Sequence, residues 1–169
     1  MDAATLRATQ APLKERFKSD PDAALITLTA KGAVDGPGIA CRLETGRGLA
    51  QAGLHPSAGG SGLDLCSGDM LLEALVACAG VTLKTVATAI ELPLTDGRVT
   101  AEGDLDVRGA LGIDKDAPVG FREIRLRFEV GTDAPQDKLD LLLRLTERYC
   151  VVYQTIRNGP KVSVSLQRV

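Results

Sequence analysis

The stretch Ser67-Gly-Asp-Met-Leu-Leu-Glu-Ala-Leu-Val-Ala-Cys-Ala-Gly-Val-Thr-Leu-Lys-Thr-Val-Ala-Thr-Ala-Ile90 decides the fold. Ser67 is a favourable N-cap residue, and Asp69 places a carboxylate in the first turn, where the helix dipole favours negative charge. From Met70 onward, apolar residues occur on nearly every face of the predicted helix. A helix that is apolar all round must be buried on most sides. The stretch therefore predicts a long helix at the centre of the domain.

This helix is long enough to cross a membrane, for which about 20 apolar residues suffice. Asp69, Glu73 and Lys84 argue against a membrane span, because charges inside a bilayer are costly. The sequence therefore indicates the core helix of a soluble protein that does not contact a membrane.

Composition narrows the class of protein. A chain of 169 residues with 44% hydrophobic and 25% charged residues fits one globular domain with a sizeable core. The net charge is −2 and no basic cluster occurs, which excludes nucleic acid as an expected partner. The N-terminus lacks a basic segment followed by an apolar run, so we expect no secretory signal and a cytoplasmic location. Thiols are normally kept reduced there.

Periodicity along the chain predicts an α+β fold. Residues 1–23 are expected to form a peripheral arm with a short helix from Pro12 to Phe17, and residues 24–169 a single domain. A second helix is predicted to follow an N-cap at Asp133, with Cys150 at or just past its end. Strands are predicted over residues 24–31, 39–44, 49–54, 98–108, 121–130 and 161–169. Runs of strands separated by few helices are typical of α+β proteins.

Two of these strands carry opposite charges on their outer faces. Residues 98–108 present acidic side chains and residues 121–130 present basic ones, so side by side they would form charge pairs across strands. We assign these charges no function.

The cysteines are the main candidates for functional residues. They are Cys41, Cys66, Cys78 and Cys150, and the single histidine is His55. No C-x-x-C pair or metal-finger spacing occurs, and no nucleotide-binding motif is present, so we expect neither a metal nor a cofactor. We interpret Cys41, Cys66 and His55 as structural residues.

Cys78 and Cys150 allow two interpretations. A free cysteine often behaves as a small buried hydrophobe. Alternatively, one thiolate attacks an electrophile and the other cysteine resolves the product into a disulfide. Ala77, Ala79 and Gly80 leave room beside the sulfur of Cys78, either for packing backbone or for a substrate. The residues alone leave both interpretations open.

Two motifs resemble those of the OsmC/Ohr family of osmotically inducible and organic hydroperoxide resistance proteins. Residues 68–78, Gly-Asp-Met-Leu-Leu-Glu-Ala-Leu-Val-Ala-Cys, resemble the family's helix with its reactive cysteine, and Tyr149-Cys150-Val151-Val152 is similar to its second cysteine motif. With the order of elements, the resemblance covers about residues 24–169. It implies an OsmC-like fold, with antiparallel sheets around a long central helix, and an intertwined homodimer with thiol sites at the subunit interface.

The resemblance also implies a peroxidase that reduces hydroperoxides, especially organic ones. Cys78 is then the peroxidatic cysteine and Cys150 the resolving one. An external dithiol, for example of the lipoyl type, reduces the disulfide. Asp69 stands where the family carries a glutamate and is the third candidate catalytic residue.

Two features of the resemblance need partners outside the central helix. Asp69 and Cys78 are nine residues apart, or ~13.5 Å along a straight helix and on opposite faces, so their contact requires a helix break or the partner subunit. The family's thiolate-assisting arginine is unassigned among the candidates Lys31, Arg42 and Arg47. An alternative function is therefore a non-catalytic dimer that binds a small apolar ligand near Cys78.

Overall fold

Helices and strands follow one another in the computed structural model, which describes residues 3–33, 42–43, 52–60, 62 and 65–168. The helices are α1 (Ala3–Ser19), α2 (Ser67–Ala89), α3 (Val107–Ala110), α4 (Gln136–Tyr149) and α5 (Val151–Asn158). The strands are β1 (Leu25–Ala33), β2 (Arg42–Leu43), β3 (Ala52–Gly53), β4 (Leu65–Cys66), β5 (Asp96–Asp106) and β6 (Phe121–Gly131). Short 3-10 helices occupy Pro21–Ala24 and Pro56–Ala58.

A four-stranded antiparallel sheet forms one layer of the core. Its strand order is β2-β1-β5-β6, and β1 pairs with β5 along its whole length, from Leu25 opposite Asp106 to Ala33 opposite Arg98. A bulge interrupts the pairing of β5 with β6 at Asp104. The predicted α+β class and antiparallel sheet are confirmed. β3 lies within the strand predicted over residues 49–54, but β4 and its parallel pairing with β3 were not predicted.

Helix α2 forms the second layer, packed on β1 and β5 and flanked by α4 and α5. By length and composition alone it could cross a membrane. One of its faces is nevertheless buried among Val99 and Ala101 of β5 and Leu142 of α4, which is the arrangement of a core helix. The buried residues of α2 are Leu72, Leu75, Val76, Ala79, Gly80, Leu83, Val86 and Ala87.

The N-terminal helix is longer than the sequence interpretation allowed. It begins at Ala3, and Pro12 lies inside it rather than opening it. Pro12 is exposed. Residues with a high helix propensity precede it, and the helix continues through the proline. Phe17 is buried against Val107 and Leu111 in a second, smaller apolar cluster, which fixes α1 to the domain.

Both predicted N-caps were wrong. Ser67 is the first residue of α2, and the cap position belongs to Cys66. The cap of α4 is Pro135, while the hydroxyl of Thr132 accepts a hydrogen bond from the backbone N–H of Ala134 at 3.2 Å. Thr132 thus provides the turn chemistry that the sequence interpretation assigned to Asp133.

The predicted last strand, residues 161–169, is absent from the described part of that segment. Residues 161–168 belong to no strand and are exposed, and none of the described strands pairs with them. Strand β2 lies within the strand predicted over residues 39–44. It pairs antiparallel with β1, as the predicted hairpin requires. The turn predicted at residues 35–38 lies outside the described residues.

The predicted charge pairing across strands is confirmed. The Arg125 guanidinium of β6 lies 2.5 Å from the Asp104 carboxylate of β5 and 3.5 Å from Glu102. The hydrogen bonds from Arg125, and then that from Thr27, hold the pKa of Asp104 well below its usual range. These pairs mark the outer face of the sheet, opposite to α2.

Gly103 sets the spacing between the sheet and a ring on its inner face. A Cβ at this position would lie 2.5 Å from Cε1 of Phe121 and 2.7 Å from Cδ1. We therefore expect Gly103→Ala to displace the ring and lower the free energy of unfolding by about 1–3 kcal/mol. Gly120→Ala is the matched control, because its Cβ would meet nothing within 4 Å. Urea unfolding of both variants measures the difference, and equal stabilities would contradict this account of Gly103.

Candidate active site

Cys78 and Cys150 meet between α2 and the junction of α4 with α5. Their thiols lie within reach of a side-chain hydrogen bond, and no disulfide joins them. Cys78 lies in the middle of α2, and Cys150 lies 72 positions later in the sequence. The fold therefore brings two distant cysteines of one chain into contact.

The break between α4 and α5 holds Cys150 in place. Cys150 has extended backbone angles and caps both helices. Its N–H donates to the carbonyl of Thr146 at 3.0 Å, and its own carbonyl accepts from the N–H of Gln154 at 2.9 Å. The Gln154 side chain donates to the carbonyl of Glu147 at 2.7 Å, which ties the two helices together across the break. The sulfur is thus positioned by backbone bonds on both sides.

Cys150 is a buried thiol. Its side chain is 1% exposed and belongs to the main apolar core. Burial, and to a smaller extent the hydrogen bond with Cys78, raise the pKa of the Cys150 thiol to about 11, against the opposing effect of the Tyr153 and Val152 amides. At neutral pH Cys150 is therefore protonated and can donate a hydrogen bond to Cys78.

Cys78 is the more accessible of the two thiols. It is partly buried against the main core and lies beside exposed positions of α2. The Thr82 hydroxyl donates to the Cys78 carbonyl at 2.7 Å, so the next turn of the helix keeps its polar group satisfied. A reagent from solution reaches Cys78 more easily than Cys150.

An apolar stripe runs along the side of α2 that the sheet leaves uncovered. We call this the α2 seam and define it as Leu71, Ala74, Cys78, Val81 and Thr85. Leu71 is 41% exposed and Val81 is 37% exposed. The spacing alternates between three and four residues, which is the spacing of a helix that packs along another helix.

Threonine hydroxyls do not make this seam polar. The Thr85 hydroxyl donates to the Val81 carbonyl at 2.8 Å, and the Thr88 hydroxyl, one turn further on, donates to the Lys84 carbonyl at 2.8 Å. Hydroxyls bonded back to their own helix turn their methyl groups outward. The seam is consequently an apolar surface with Cys78 at its centre.

Asp69 lies too far along α2 to contact Cys78 of its own chain. It lies in the first turn of α2, which runs as one continuous helix through Cys78. Its neighbour is Glu73, one turn later, and the pKa of Glu73 is raised by burial and then by the charge of Asp69. The two carboxylates therefore form a pair at the N-terminal end of α2, away from Cys78.

The three basic residues that were candidates for assisting the Cys78 thiolate differ in their positions. Lys31 is exposed and shares the outer face of the sheet with Thr27, opposite to α2, so it cannot assist Cys78 of its own chain. Arg42 lies in β2, which pairs with β1, but its side chain is outside the described part of the structure. Arg47 lies outside the described residues altogether.

A mainly apolar cavity of about 560 Å³, with Arg122, Glu123, Glu147 and Arg157 also in its lining, lies beside this site. Phe121, Ile124 and Phe128 of β6 form one wall. Leu75, three residues before Cys78, and Tyr153, three residues after Cys150, connect the cavity to the thiol region, although neither cysteine lines it. Sequence reasoning missed α5 and this cavity; the i, i+1, i+4 spacing of Val152, Tyr153 and Ile156 was the available signal.

The other predicted structural residues have ordinary environments. Cys66 caps α2 and packs against the main core. The Nδ1 atom of His55 accepts a hydrogen bond from the N–H of Ser57 at 3.1 Å and so caps the short helix at Pro56–Ala58. Cys41 lies outside the described residues. Within the described ranges, no three histidine, cysteine or carboxylate side chains cluster as a metal site would require.

Both the sequence and the fold resemble those of known proteins. The family model described as OsmC-like protein matches residues 60–165. The crystal structure of an OsmC-like hydroperoxide resistance protein from Jannaschia sp. CCS1 aligns with 86% of this chain and 95% of its own, at a TM-score of 0.58 and 15% sequence identity. That likeness concerns the fold alone. No curated protein matches the sequence.

The matched span includes α2, the sheet strands β5 and β6, and both cysteines, and it covers more than half of the chain. The chain therefore belongs to the OsmC-like protein family.

Proposed function

We propose that the protein is a thiol-dependent peroxidase that uses Cys78 and Cys150 to reduce hydroperoxides. The observation that carries the proposal is the contact between the two thiols within one chain. Family membership supports peroxidase-type chemistry in general terms. The assignment of roles rests on the different environments of the two sulfur atoms.

Cys78 is the peroxidatic cysteine because it is the accessible one, and a buried thiol that stays protonated is a poor nucleophile. The Cys78 thiolate attacks the terminal oxygen of ROOH, the O–O bond breaks, and ROH leaves after taking up a proton. Cys78 is thereby oxidised to a sulfenic acid. The Cys150 thiol then attacks this sulfur, releases water and forms the Cys78–Cys150 disulfide.

An external dithiol, for example of the lipoyl type, returns both cysteines to the thiol state by exchange. This step fits a cytoplasmic protein, since that compartment supplies reductants. Organic hydroperoxides fit the site better than hydrogen peroxide does, because the side chains around Cys78 are apolar and small.

A second copy of the chain completes the site in this proposal. The α2 seam is an apolar surface that water would otherwise cover, and a two-fold partner would bury it against its own seam. Such a homodimer would bury more than about 2,000 Å² in total. The partner subunit is also the source from which Asp69, and a basic residue such as Arg42 or Arg47, could approach Cys78.

The alternative function is a non-catalytic dimer that holds a small apolar ligand near Cys78. The cavity beside β6 is apolar enough to hold such a ligand. A ligand-binding protein, however, has no need for two thiols in contact. Peroxide consumption with a dithiol reductant separates the two functions.

The role of Cys78 predicts the first activity change. Cys78→Ser should lower the rate of cumene hydroperoxide reduction by more than about a hundredfold, because a serine hydroxyl is not ionised at neutral pH. Cys66→Ser is the matched control and should keep its activity, since serine is a good N-cap residue. A coupled dithiol assay measures both variants. Equal activity of wild-type protein and Cys78→Ser would end the peroxidase proposal.

The role of Cys150 predicts a different kinetic pattern. Cys150→Ser should consume about one equivalent of peroxide per subunit and then stop, with Cys78 trapped as sulfenic or sulfinic acid. Stopped-flow kinetics and intact-protein mass spectrometry detect the burst and the added oxygen. Undiminished steady turnover with the dithiol would show that Cys150 does not resolve the intermediate.

The seam predicts the oligomeric state. Wild-type protein should sediment at twice the 17.7 kDa of one chain. Val81→Glu should shift it to monomer, since a charge in an apolar interface is costly to bury. Val119→Glu makes the same change at a site that is 66% exposed and outside the seam, and it should leave the dimer intact. A wild-type monomer, or a dimer that tolerates Val81→Glu, would exclude assembly through the seam.

A further inference from the structure

A side chain of α5 bridges the break between α4 and α5. The Nε2 atom of Gln154 donates a hydrogen bond to the carbonyl of Glu147 at 2.7 Å, across seven positions of the sequence. The last four carbonyls of a helix have no amide of their own helix to accept from, and Glu147 lies in this last turn of α4. The bond therefore satisfies a carbonyl of α4 with a donor that is fixed to α5.

The amide group of Gln154 is itself oriented by its neighbours. The Nδ2 atom of Asn158, one turn later, donates to Oε1 of Gln154 at 2.8 Å. Because Oε1 accepts this bond, Nε2 is left to face Glu147. The backbone N–H of Gln154 donates to the carbonyl of Cys150 at 2.9 Å. Gln154 is thus bonded to α4, to the residue at the break and to its own helix.

Apolar packing holds α5 less firmly than it holds the longer helices. None of the eight residues of α5 is fully buried. Val152, Tyr153 and Ile156 pack against the main core with partly exposed side chains. A helix of two turns has little stability of its own, so its contacts with the rest of the domain determine its position. The bond between Gln154 and Glu147 is one of these contacts, and it is directional.

The position of α5 determines where the sulfur of Cys150 lies. Cys150 caps both α4 and α5, so a rotation of α5 about the break moves its side chain. Burial dominates the pKa of the Cys150 thiol and raises it, but the amides of Tyr153 and Val152, in the first turn of α5, act to lower it. The beginning of α5 therefore lies against the thiol, and the contact of this thiol with Cys78 depends on the angle between the two helices.

We infer that Gln154 is a positioning residue for the resolving step, which holds the Cys150 sulfur against Cys78 by bonding α5 to the end of α4. The inference rests on the proposed function. In that step the Cys150 sulfur attacks the sulfenic acid of Cys78, the S–O bond breaks, and the hydroxide leaves as water with the thiol proton of Cys150. Without the bridge, Cys150 would sample more positions, and closing the disulfide would have to restrict them.

Equilibration with glutathione tests the placement of Cys150 without any peroxide. Oxidised glutathione converts the thiol pair to its disulfide and yields two reduced glutathione molecules. Gln154→Met keeps the length of the side chain but removes its hydrogen bonds, so the equilibrium constant for the disulfide should fall about three- to tenfold. Gln136→Met is the matched control, because Gln136 is an exposed residue of α4 whose Nε2 donates to Asp140 at 2.8 Å. It should behave as the wild-type protein does.

Stopped-flow kinetics with cumene hydroperoxide assigns the effect to one step. In Gln154→Met, attack by Cys78 should stay within about twofold of the wild-type rate, whereas disulfide formation should slow about tenfold. The sulfenic acid then persists, so lower peroxide concentrations should oxidise Cys78 to the sulfinic acid, which mass spectrometry detects. A purely structural role of Gln154 would slow both steps together.

A second variant keeps the test decisive if Gln154→Met does not fold, which circular dichroism detects. Asn158→Ala leaves Gln154 in place but removes the bond that orients its amide, so it should lower the equilibrium constant in the same direction. Folded variants at both positions that match Gln136→Met would overturn the inference, as would equal slowing of attack and disulfide formation. A wild-type protein that consumes no peroxide would end the proposed function, but the glutathione equilibrium would still decide the role of Gln154.

Discussion

The apolar surface of α2 is the constraint on which the rest of the structure depends. The helix is apolar on nearly every face, and a four-stranded sheet with two flanking helices covers only one of them. The covered face supplies most of the main core, and the uncovered face forms the seam that contains Cys78. One helix therefore stabilises the subunit and, in our proposal, joins two subunits around the reactive sulfur.

The thiol site follows from the position of that helix. α4 and α5 pack on α2, and the break between them places Cys150 against Cys78. Burial keeps Cys150 protonated, while Cys78 borders the open seam. Two cysteines with the same chemistry thus acquire different accessibilities from the packing around them, which is the difference that the proposed division of roles requires.

The sequence predicted which helices and strands form more accurately than it predicted the residues at which they begin and end. The length and composition of α2 and the alternation in β5 and β6 determined those elements, because burial imposes a strong period on the sequence. The predicted N-caps at Ser67 and Asp133 were wrong, because the cap position depends on the geometry of the preceding loop. The hydrophobic periodicity of a sequence contains no information about that geometry. The family motifs indicated both cysteines, but only the packing of α5 on α2 accounts for the contact between them. No described strand pairs with residues 161–168, where a strand was predicted, and an alternating sequence does not reveal whether a partner strand lies beside it.

Peptide mapping after oxidation tests most directly whether Cys78 and Cys150 of one chain form a redox pair. A dimer assembled from isotopically light and heavy copies is treated with one equivalent of cumene hydroperoxide and digested without reduction. The account predicts one disulfide, between the peptides that contain Cys78 and Cys150, with both peptides light or both heavy. A disulfide that joins Cys66 to Cys78, mixed light and heavy pairs, or no disulfide at all would contradict it.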